Sequence, residues 1–107
     1  MFARIVESVP RPEKRDDLIR VMKNEVLPIL KKQAGFLEIL PFVHEMKNEK
    51  MVTITLWHDR KDAERYEREV FPRVEEIMRP YLASPITWRL YQVETTLCEH
   101  FVETLAA

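Results

Sequence analysis

The sequence predicts an α+β fold with four strands and two helices in the order βαββαβ, in which both helices cover one face of an antiparallel sheet. Two long segments carry apolar residues at helical spacing, four short apolar-rich segments flank them, and prolines lie at most of the boundaries. This order is the ferredoxin-like arrangement, and 107 residues suffice for one domain with one core.

The N-terminal part contains the first strand and the first helix. The segment from Phe2 to Val9 is short and apolar-rich, and prolines end it. Apolar residues then recur at helical steps from Glu13 to Gln33, which predicts an amphipathic helix. We expect Pro28 to bend this helix or end its regular part, and Gly35 to stop it.

A predicted hairpin follows the first helix. Phe36 to Glu45 and Met51 to Trp57 predict the second and third strands, which a short polar link joins. We expect the purely aliphatic side of these strands to face the helices. That side comprises Leu37, Ile39, Val43, Val52, Ile54 and Leu56. The other side is mixed, comprising Glu38, Leu40, Phe42, His44, Thr53, Thr55 and Trp57, with Phe2, Arg4, Val6 and Ser8 from the first strand and Thr87, Arg89 and Tyr91 from the fourth.

The C-terminal half predicts a second helix and a fourth strand. Asp59 is a suitable cap, and the apolar spacing from Ala63 to Tyr81 is helical. We expect Pro72 to divide this region into two helical pieces, because proline lacks the N–H that a continuous helix needs. The fourth strand is predicted from Ile86 to Val93.

Residues 1–107 are assigned to one domain, with residues 94–107 as a C-terminal tail that could contact a partner subunit. Thr95 to Cys98 could extend the fourth strand, and His100 to Leu105 could form a short helix. Cys98 is the only cysteine, which excludes an intramolecular disulfide and a multi-cysteine metal centre. A role as a small buried apolar residue is favoured over one as a nucleophile.

Composition excludes several classes of function. The 17 basic and 18 acidic residues give a net charge of −1, which argues against binding nucleic acid. Gly35 is the only glycine, so glycine-rich phosphate loops are absent. Histidines and carboxylates show no metal-ligand spacing, and we expect no metal site. The N-terminus lacks the pattern of a signal peptide and no stretch is long enough to span a membrane, so we expect a cytoplasmic protein.

The mixed side of the predicted sheet carries several bulky groups, among them Phe42, Trp57 and Tyr91. An apolar patch as large as a sheet face usually marks an interface, and two copies packed sheet to sheet would cover it symmetrically. We therefore predict a homodimer joined through the sheet faces. The alternative is a sheet face left to solvent, which antiparallel sheets allow.

Three stretches of the chain resemble the antibiotic biosynthesis monooxygenase (ABM)-like family of dimeric α/β barrels. They are Glu25–Ile39, Thr53–Ala63, and Val70–Val74 with Ile77–Leu82. The resemblance implies a βαββαβ protomer, a homodimer joined through its sheets, and a pocket between the sheet and the helices of each protomer.

The family resemblance also implies candidate activities. Some members oxidise polycyclic aromatic phenols to quinones with oxygen and no cofactor, and others degrade haem. The haem-degrading branch uses an Asn, a Trp and a His where this chain has Val6, Tyr66 and the Glu75–Glu76 region. We therefore expect a cofactor-free monooxygenase of a small aromatic compound, with a non-catalytic small-ligand-binding or stress-related homodimer as the alternative and haem breakdown ranked lower.

A cofactor-free oxygenase must deprotonate a phenol, and histidine suits that role near neutral pH. His44 is the predicted catalytic base, and a hydrogen-bonded interface histidine is the alternative. The predicted ligand-binding residues are aromatic side chains that could stack on a planar ring or simply pack in the core, and arginines that could bind an anion or pair with a glutamate. They are Phe42, Trp57, Tyr66, Phe71, Tyr81, Arg4 and Arg89.

Overall fold

The computed structural model describes residues 1–98 and contains the predicted four-stranded antiparallel sheet. Its strands are β1 (Phe2–Ser8), β2 (Phe36–Phe42), β3 (Met51–Trp57) and β4 (Thr87–Gln92). They lie in the order β2-β3-β1-β4, which is the ferredoxin-like arrangement. The predicted fold class is therefore confirmed, whereas the helix predicted over residues 100–105 lies outside the described residues.

The helices form one layer on one face of this sheet. They are α1 (Arg15–Val21), a π-helical turn (Met22–Val26), α2 (Leu27–Lys31), α3 (Arg60–Glu69) and α4 (Phe71–Met78), with short 3-10 turns at Pro12–Lys14, Arg79–Tyr81 and Thr95–Leu97. The last of these turns corrects the expectation that Thr95 to Cys98 extends a strand. Within residues 1–98, no helix combines the length and the apolar character that crossing a membrane requires.

Pro28 and Pro72 act as predicted. Pro28 cannot donate to the carbonyl four residues earlier, and the regular α-helix gives way to the π-helical turn directly before α2. Pro72 is near the first position of α4, where its missing N–H costs nothing, and the chain breaks between α3 and α4 at Val70. Asp59 caps α3, because its Oδ1 accepts a hydrogen bond from the Asp62 N–H at 3.0 Å.

The predicted orientation of β1 and β3 is wrong. Trp57 is 0% exposed and packs in the core beneath the helices, so the alternate residues Thr55 and Thr53 face the helices as well. In β1 the side chains of Arg4 and Val6 lie opposite these two threonines and share their face. Burial of the largest side chain in β3 decides which way the strand faces, and this outweighs the aliphatic character of its other side.

The face turned away from the helices, called the open face below, is consequently more apolar than predicted. It comprises Ala3, Ile5 and Glu7 of β1, Glu38, Leu40 and Phe42 of β2, Val52, Ile54 and Leu56 of β3, and Thr87, Arg89 and Tyr91 of β4. The orientations predicted for Ile39 in β2 and for β4 are confirmed, since Ile39 and Leu90 pack against the core. Leu37 instead lies at a bulge and is 41% exposed.

Gly35 ends the first helical segment in a left-handed conformation with φ = 81°. A Cβ at this position would overlap the side chain of Asp62, and φ is unfavourable for any other L-residue. We expect Gly35→Ala to lower the free energy of unfolding by about 1–2 kcal/mol. Urea denaturation measures this loss, and Ala34→Gly at the neighbouring turn position is the control. An unchanged urea midpoint for Gly35→Ala would contradict the left-handed conformation assigned to Gly35.

Candidate functional site

A small cavity lies between the sheet and the helices. Its volume is about 30 Å³. The side chains around it come from three strands and from both helical segments, and they are Arg4, Val6, Met22, Val26, Leu30, Ile39, Thr53, Thr55, Tyr66, Phe71, Val74 and Met78. A space of this size holds one or two water-sized groups, so it admits part of a ligand and not a whole ring system.

Arg4 is the one charged side chain among the residues that line this cavity. It is 1% exposed, although it belongs to a residue type that is seldom fully buried. Its guanidinium carbon lies 5.1 Å from the centre of the Tyr66 ring, 4.4 Å from that of Phe71 and 4.8 Å from that of Trp88. Three aromatic faces therefore hold the cation in place.

The Arg4 guanidinium retains unused hydrogen-bonding capacity. Its Nε and Nη2 are buried without a hydrogen-bond partner among the described residues. Burial lowers the pKa of Arg4 from its usual value, although the attraction of Tyr66 and Glu67 acts in the opposite direction. An arginine keeps its charge in proteins, so the cavity holds a cation whose donors remain available to an acceptor.

Trp57 and Tyr66 form a fixed aromatic wall beside Arg4. The Trp57 Nε1–H donates to Thr55 Oγ1 at 3.0 Å, and the centres of the Trp57 and Tyr66 rings are 4.9 Å apart. Tyr66 in turn lies 6.1 Å from Phe71, measured between ring centres. Burial raises the pKa of Tyr66 to about 12, so its hydroxyl stays protonated near neutral pH.

The hydrogen bond between Trp57 and Thr55 is testable because both groups are buried. Thr55→Val keeps the side-chain shape but leaves the indole N–H without its acceptor, which we expect to cost about 1–2 kcal/mol of unfolding free energy. Chemical denaturation measures the loss. In a Trp57→Phe background the same substitution should cost much less, and equal costs in the two backgrounds would show that the bond contributes nothing.

An apolar groove of about 330 Å³ adjoins the cavity. Its lining comes from α1, the π-helical turn, α2 and the strands β2 and β3, and comprises Ile19, Met22, Lys23, Leu27, Ile39, Pro41, Val43 and Met51. Met22 and Ile39 line both spaces, so these two side chains form the wall between the groove and the Arg4 cavity. The groove falls within the size range of small-molecule sites.

The structure brings four of the predicted site residues together. Arg4, Tyr66 and Phe71 line the cavity, and Trp57 packs directly behind Tyr66. Their ligand-binding roles stay predictions. Arg4 and Trp57 were expected on the opposite face of the sheet, so their position beside the cavity differs from the sequence prediction. Nearness to one cavity is nevertheless what a shared binding role requires.

The other predicted site residues lie elsewhere. Phe42 is 53% exposed on the open face, and Arg89 lies on that face beside Tyr91. Tyr81 is half-buried in the 3-10 turn after α4. His44 follows β2 in an exposed segment, where its Nδ1 accepts a hydrogen bond from the Met46 N–H at 3.0 Å. The predicted base is thus outside the cavity.

Several residues around the cavity and Arg4 were not predicted as site residues. Thr53 and Thr55 were assigned to the open side because they are polar, and Met22 and Trp88 were not considered as site residues. Trp57 was the available signal. Since a tryptophan is the largest residue of β3, it sets which alternate residues point inward, and this also fixes Arg4 through the pairing of Arg4 with Thr55.

A second cluster of polar side chains lies at the start of α3. His58, Asp59 and Asp62 bring potential ligand atoms within 4.8 Å of one another. Asp59 caps the helix, and Asp62 forms an ion pair with Arg65. The Asp62 N–H holds the pKa of Asp59 below its usual value. Helix capping and ion pairing therefore account for this cluster.

The fold and the cavity together define a ferredoxin-like α+β protein with a small cavity between its sheet and its helical layer. The family model described as antibiotic biosynthesis monooxygenase matches residues 1–71. The chain belongs to this family, as the sequence resemblance indicated. A comparison with curated protein sequences finds no match.

Several solved structures share the fold at low sequence identity. A monooxygenase from the gene ActVA-Orf6 of Streptomyces coelicolor, in complex with nanaomycin D, is 17% identical over 87% of each chain, with a TM-score of 0.69. SnoaB, a cofactor-independent oxygenase from Streptomyces nogalater, is 15% identical over 91% of this chain and 96% of its own, with a TM-score of 0.68. A protein described as an antibiotic biosynthesis monooxygenase is 20% identical over 87% and 98%, with a TM-score of 0.69.

Proposed function

We propose that this protein is a cofactor-independent monooxygenase that acts on a small aromatic phenol bound between its sheet and its helices. The observation that carries the proposal is the buried cavity in which the Arg4 cation lies among aromatic rings. Membership of the family and the fold shared with SnoaB, a cofactor-independent oxygenase, support it.

The proposed reaction converts a phenol with an unsubstituted para carbon into a para-quinone. One atom of O₂ becomes the new carbonyl oxygen, and the other leaves as water with the hydrogens lost from the phenol oxygen and the para carbon. Oxygen is the oxidant, and the electron-rich phenolate is the reductant. A positive charge beside the phenol favours its ionised form, so Arg4 would lower the pKa of the bound substrate and thereby promote this reaction.

The predicted base, His44, is tested separately. Its side chain is exposed and does not line the cavity, so we expect His44→Ala to oxidise substrate at the wild-type rate. Oxygen uptake at saturating substrate measures this rate. A large loss of rate in His44→Ala, with unchanged thermal stability, would restore the histidine as base and would place the reaction outside the cavity.

The proposed activity is tested with 1-naphthol, a fused-ring phenol with a free para carbon. We expect oxygen uptake with the appearance of naphthoquinone absorbance, and one labelled oxygen atom in each quinone when the reaction runs under labelled O₂. The enzyme is dialysed against a chelator beforehand. Uptake no faster than in buffer, for 1-naphthol and for a panel of related phenols, would refute the proposal, as would hydrogen peroxide formed in place of labelled quinone.

A non-catalytic ligand-binding protein is the second candidate, and one observation favours it. None of the cavity-lining residues is an aspartate, a glutamate, a histidine or a cysteine, so no side chain there is suited to remove a proton near neutral pH. The same lining offers no histidine to bind a haem iron. Saturable binding of phenols without oxygen uptake would favour this candidate over the enzyme.

The proposal includes a homodimer joined through the open faces. Eight of the open-face residues are apolar or aromatic, and Phe42 and Tyr91 among them are 53% and 47% exposed. Association would remove these groups from water, and the twofold symmetry of such a dimer would cover both copies of the face at once.

A further inference from the structure

We propose that Arg4 is the anion-binding residue of this site, and that the ligand is a planar aromatic compound with an ionised oxygen bound to Arg4 and its ring in the adjoining groove. The inference rests on the proposed function for the location of the site, but it does not require turnover. It adds the charge of the ligand, the residue that recognises this charge, and the place of the ring.

The Arg4 side chain is buried, and part of its guanidinium has no partner within the described part of the chain. A buried cation normally has a carboxylate partner, because removing it from water is costly. Arg4 is 1% exposed, yet its Nε and Nη2 have no hydrogen-bond partner among residues 1–98. The faces of three aromatic rings stabilise the charge without using its N–H donors. An oxyanion from a ligand would supply the missing acceptor.

Among the described residues, the cavity lining contains a cation and no basic side chain suited to accept a proton near neutral pH. A neutral phenol bound there would have to lose its proton to water, because the lining provides no such side chain. A compound that is already ionised at neutral pH needs no such proton transfer. The site is therefore suited to an acidic phenol, an enol or a carboxylic acid, which share a planar, delocalised oxyanion.

The cavity and the groove differ in size. The 30 Å³ cavity holds the oxygen of a ligand but not its ring, whereas the adjoining 330 Å³ groove is apolar and large enough for a small aromatic system. Arg4, Thr55 and Ile39 lie side by side on neighbouring strands, which places Ile39 about 10 Å from Arg4 across the sheet.

Met22 provides the passage between the two spaces. Its flexible side chain lines both the groove and the cavity, and it projects from the π-helical turn opposite Ile39. A change of its rotamer would join the cavity to the groove without moving the backbone. The ligand would then extend from Arg4 past Met22 into the groove.

The experiment compares two ligands that differ in charge. The probes are 2-hydroxy-1,4-naphthoquinone, which is ionised at neutral pH, and its neutral methyl ether. Binding is followed by isothermal titration calorimetry. We expect the anion to bind roughly 10- to 100-fold more tightly than the ether, since a charge-assisted hydrogen bond is lost with the charge. A carboxylate arm, 2-naphthoate against neutral 2-naphthamide, determines whether an enolate or a carboxylate is the preferred oxyanion.

Two variants of Arg4 and one lysine variant test whether Arg4 causes the preference for the anionic ligand. Arg4→Met should abolish the preference for the anion, and Arg4→Lys should retain part of it. Lys32→Met removes an exposed charge that lines neither the cavity nor the groove, and it should leave the preference in place. Equal affinity for the two naphthoquinones in the wild-type protein, or a preference that persists in Arg4→Met, would overturn the inference.

Met22→Ala tests the passage. We expect the hydroxynaphthoquinone to associate faster, because the smaller side chain leaves the passage open. The association rate is measured in a stopped-flow instrument from the quenching of tryptophan fluorescence. Met46→Ala, at an exposed methionine outside the groove, should associate at the wild-type rate. Unchanged association in Met22→Ala would overturn the placement of the ring.

The failure of this inference can be separated from that of the proposed function. Preferential binding of the anion through Arg4 without oxygen uptake would support the inference and refute the proposed monooxygenase activity. Oxygen uptake with neutral phenols, unaffected by Arg4→Met, would support the enzyme and overturn the inference.

Discussion

Ile54→Arg is expected to convert the protein from a dimer to a monomer. Ile54 lies in the middle of the open face, where it pairs with Ile5 of β1 and Leu40 of β2. In a dimer joined through the open faces, the twofold arrangement would bury the new charge of each protomer near that of its partner, among apolar neighbours such as Ile5 and Leu40. Two such unpaired charges cost several kcal/mol, which is comparable to the whole free energy of a modest dimer.

Light scattering coupled to size exclusion measures this change. The wild-type protein should give twice the protomer mass of 12.9 kDa, and Ile54→Arg should give the single mass. The matched control is Met46→Arg, which puts the same charge at an exposed methionine of the loop between β2 and β3 and should leave the dimer intact. A wild-type monomer at micromolar concentration, or an Ile54→Arg dimer, would contradict the assignment.

Tyr66 is expected to make the protein unstable at high pH. Burial raises its pKa from 10.0 to about 12, so the folded protein retains a phenol proton that the unfolded chain has already lost. The stabilisation from this proton is complete below pH 10 and is lost as the pH rises through 12, because the folded state binds more protons over this interval. The loss amounts to roughly 2–3 kcal/mol of unfolding free energy.

Urea denaturation at several pH values between 9 and 12 measures this loss. Tyr66→Phe removes the titrating group and should therefore flatten the decline by that amount. Tyr81→Phe, at a half-buried tyrosine outside the cavity, is the control and should decline as the wild type does. A wild-type protein that declines no more steeply than Tyr66→Phe would show that the Tyr66 hydroxyl ionises as readily in the folded state as in the unfolded chain.

The order and type of the elements were predictable from local signals. The alternation in Met51–Trp57, the cap at Asp59 and the break at Pro72 each depend on residues within a few positions of one another, so the sequence alone carries them. Gly35 was similarly clear, because a glycine after a helical run indicates a left-handed end. The family resemblance led to the same fold independently.

The orientation of two strands was not predictable from polarity alone. Val52, Ile54 and Leu56 form the more apolar side of β3, but Trp57 and Met51 are on the other side and are almost completely buried. A sheet that is covered on one face by helices and is apolar on the other gives two competing signals. The size of Trp57 decides between them, and an open face rich in aliphatic groups is the consequence.

The site was predictable in its residue types more than in its geometry. Arg4, Tyr66 and Phe71 were chosen as a charge and two aromatic rings, and the structure places them around one cavity. His44 was chosen because histidine titrates near neutral pH. That chemical argument contains no information on where the chain places the side chain, and His44 follows β2 in an exposed segment.

A crystal structure of the protein with 2-hydroxy-1,4-naphthoquinone would test most directly whether the space between the sheet and the helices is the binding site. We expect the ionised oxygen at about 3 Å from a guanidinium nitrogen of Arg4, with the ring in the groove beyond Met22. A ligand bound only on the open face, with no oxygen beside Arg4, would contradict it.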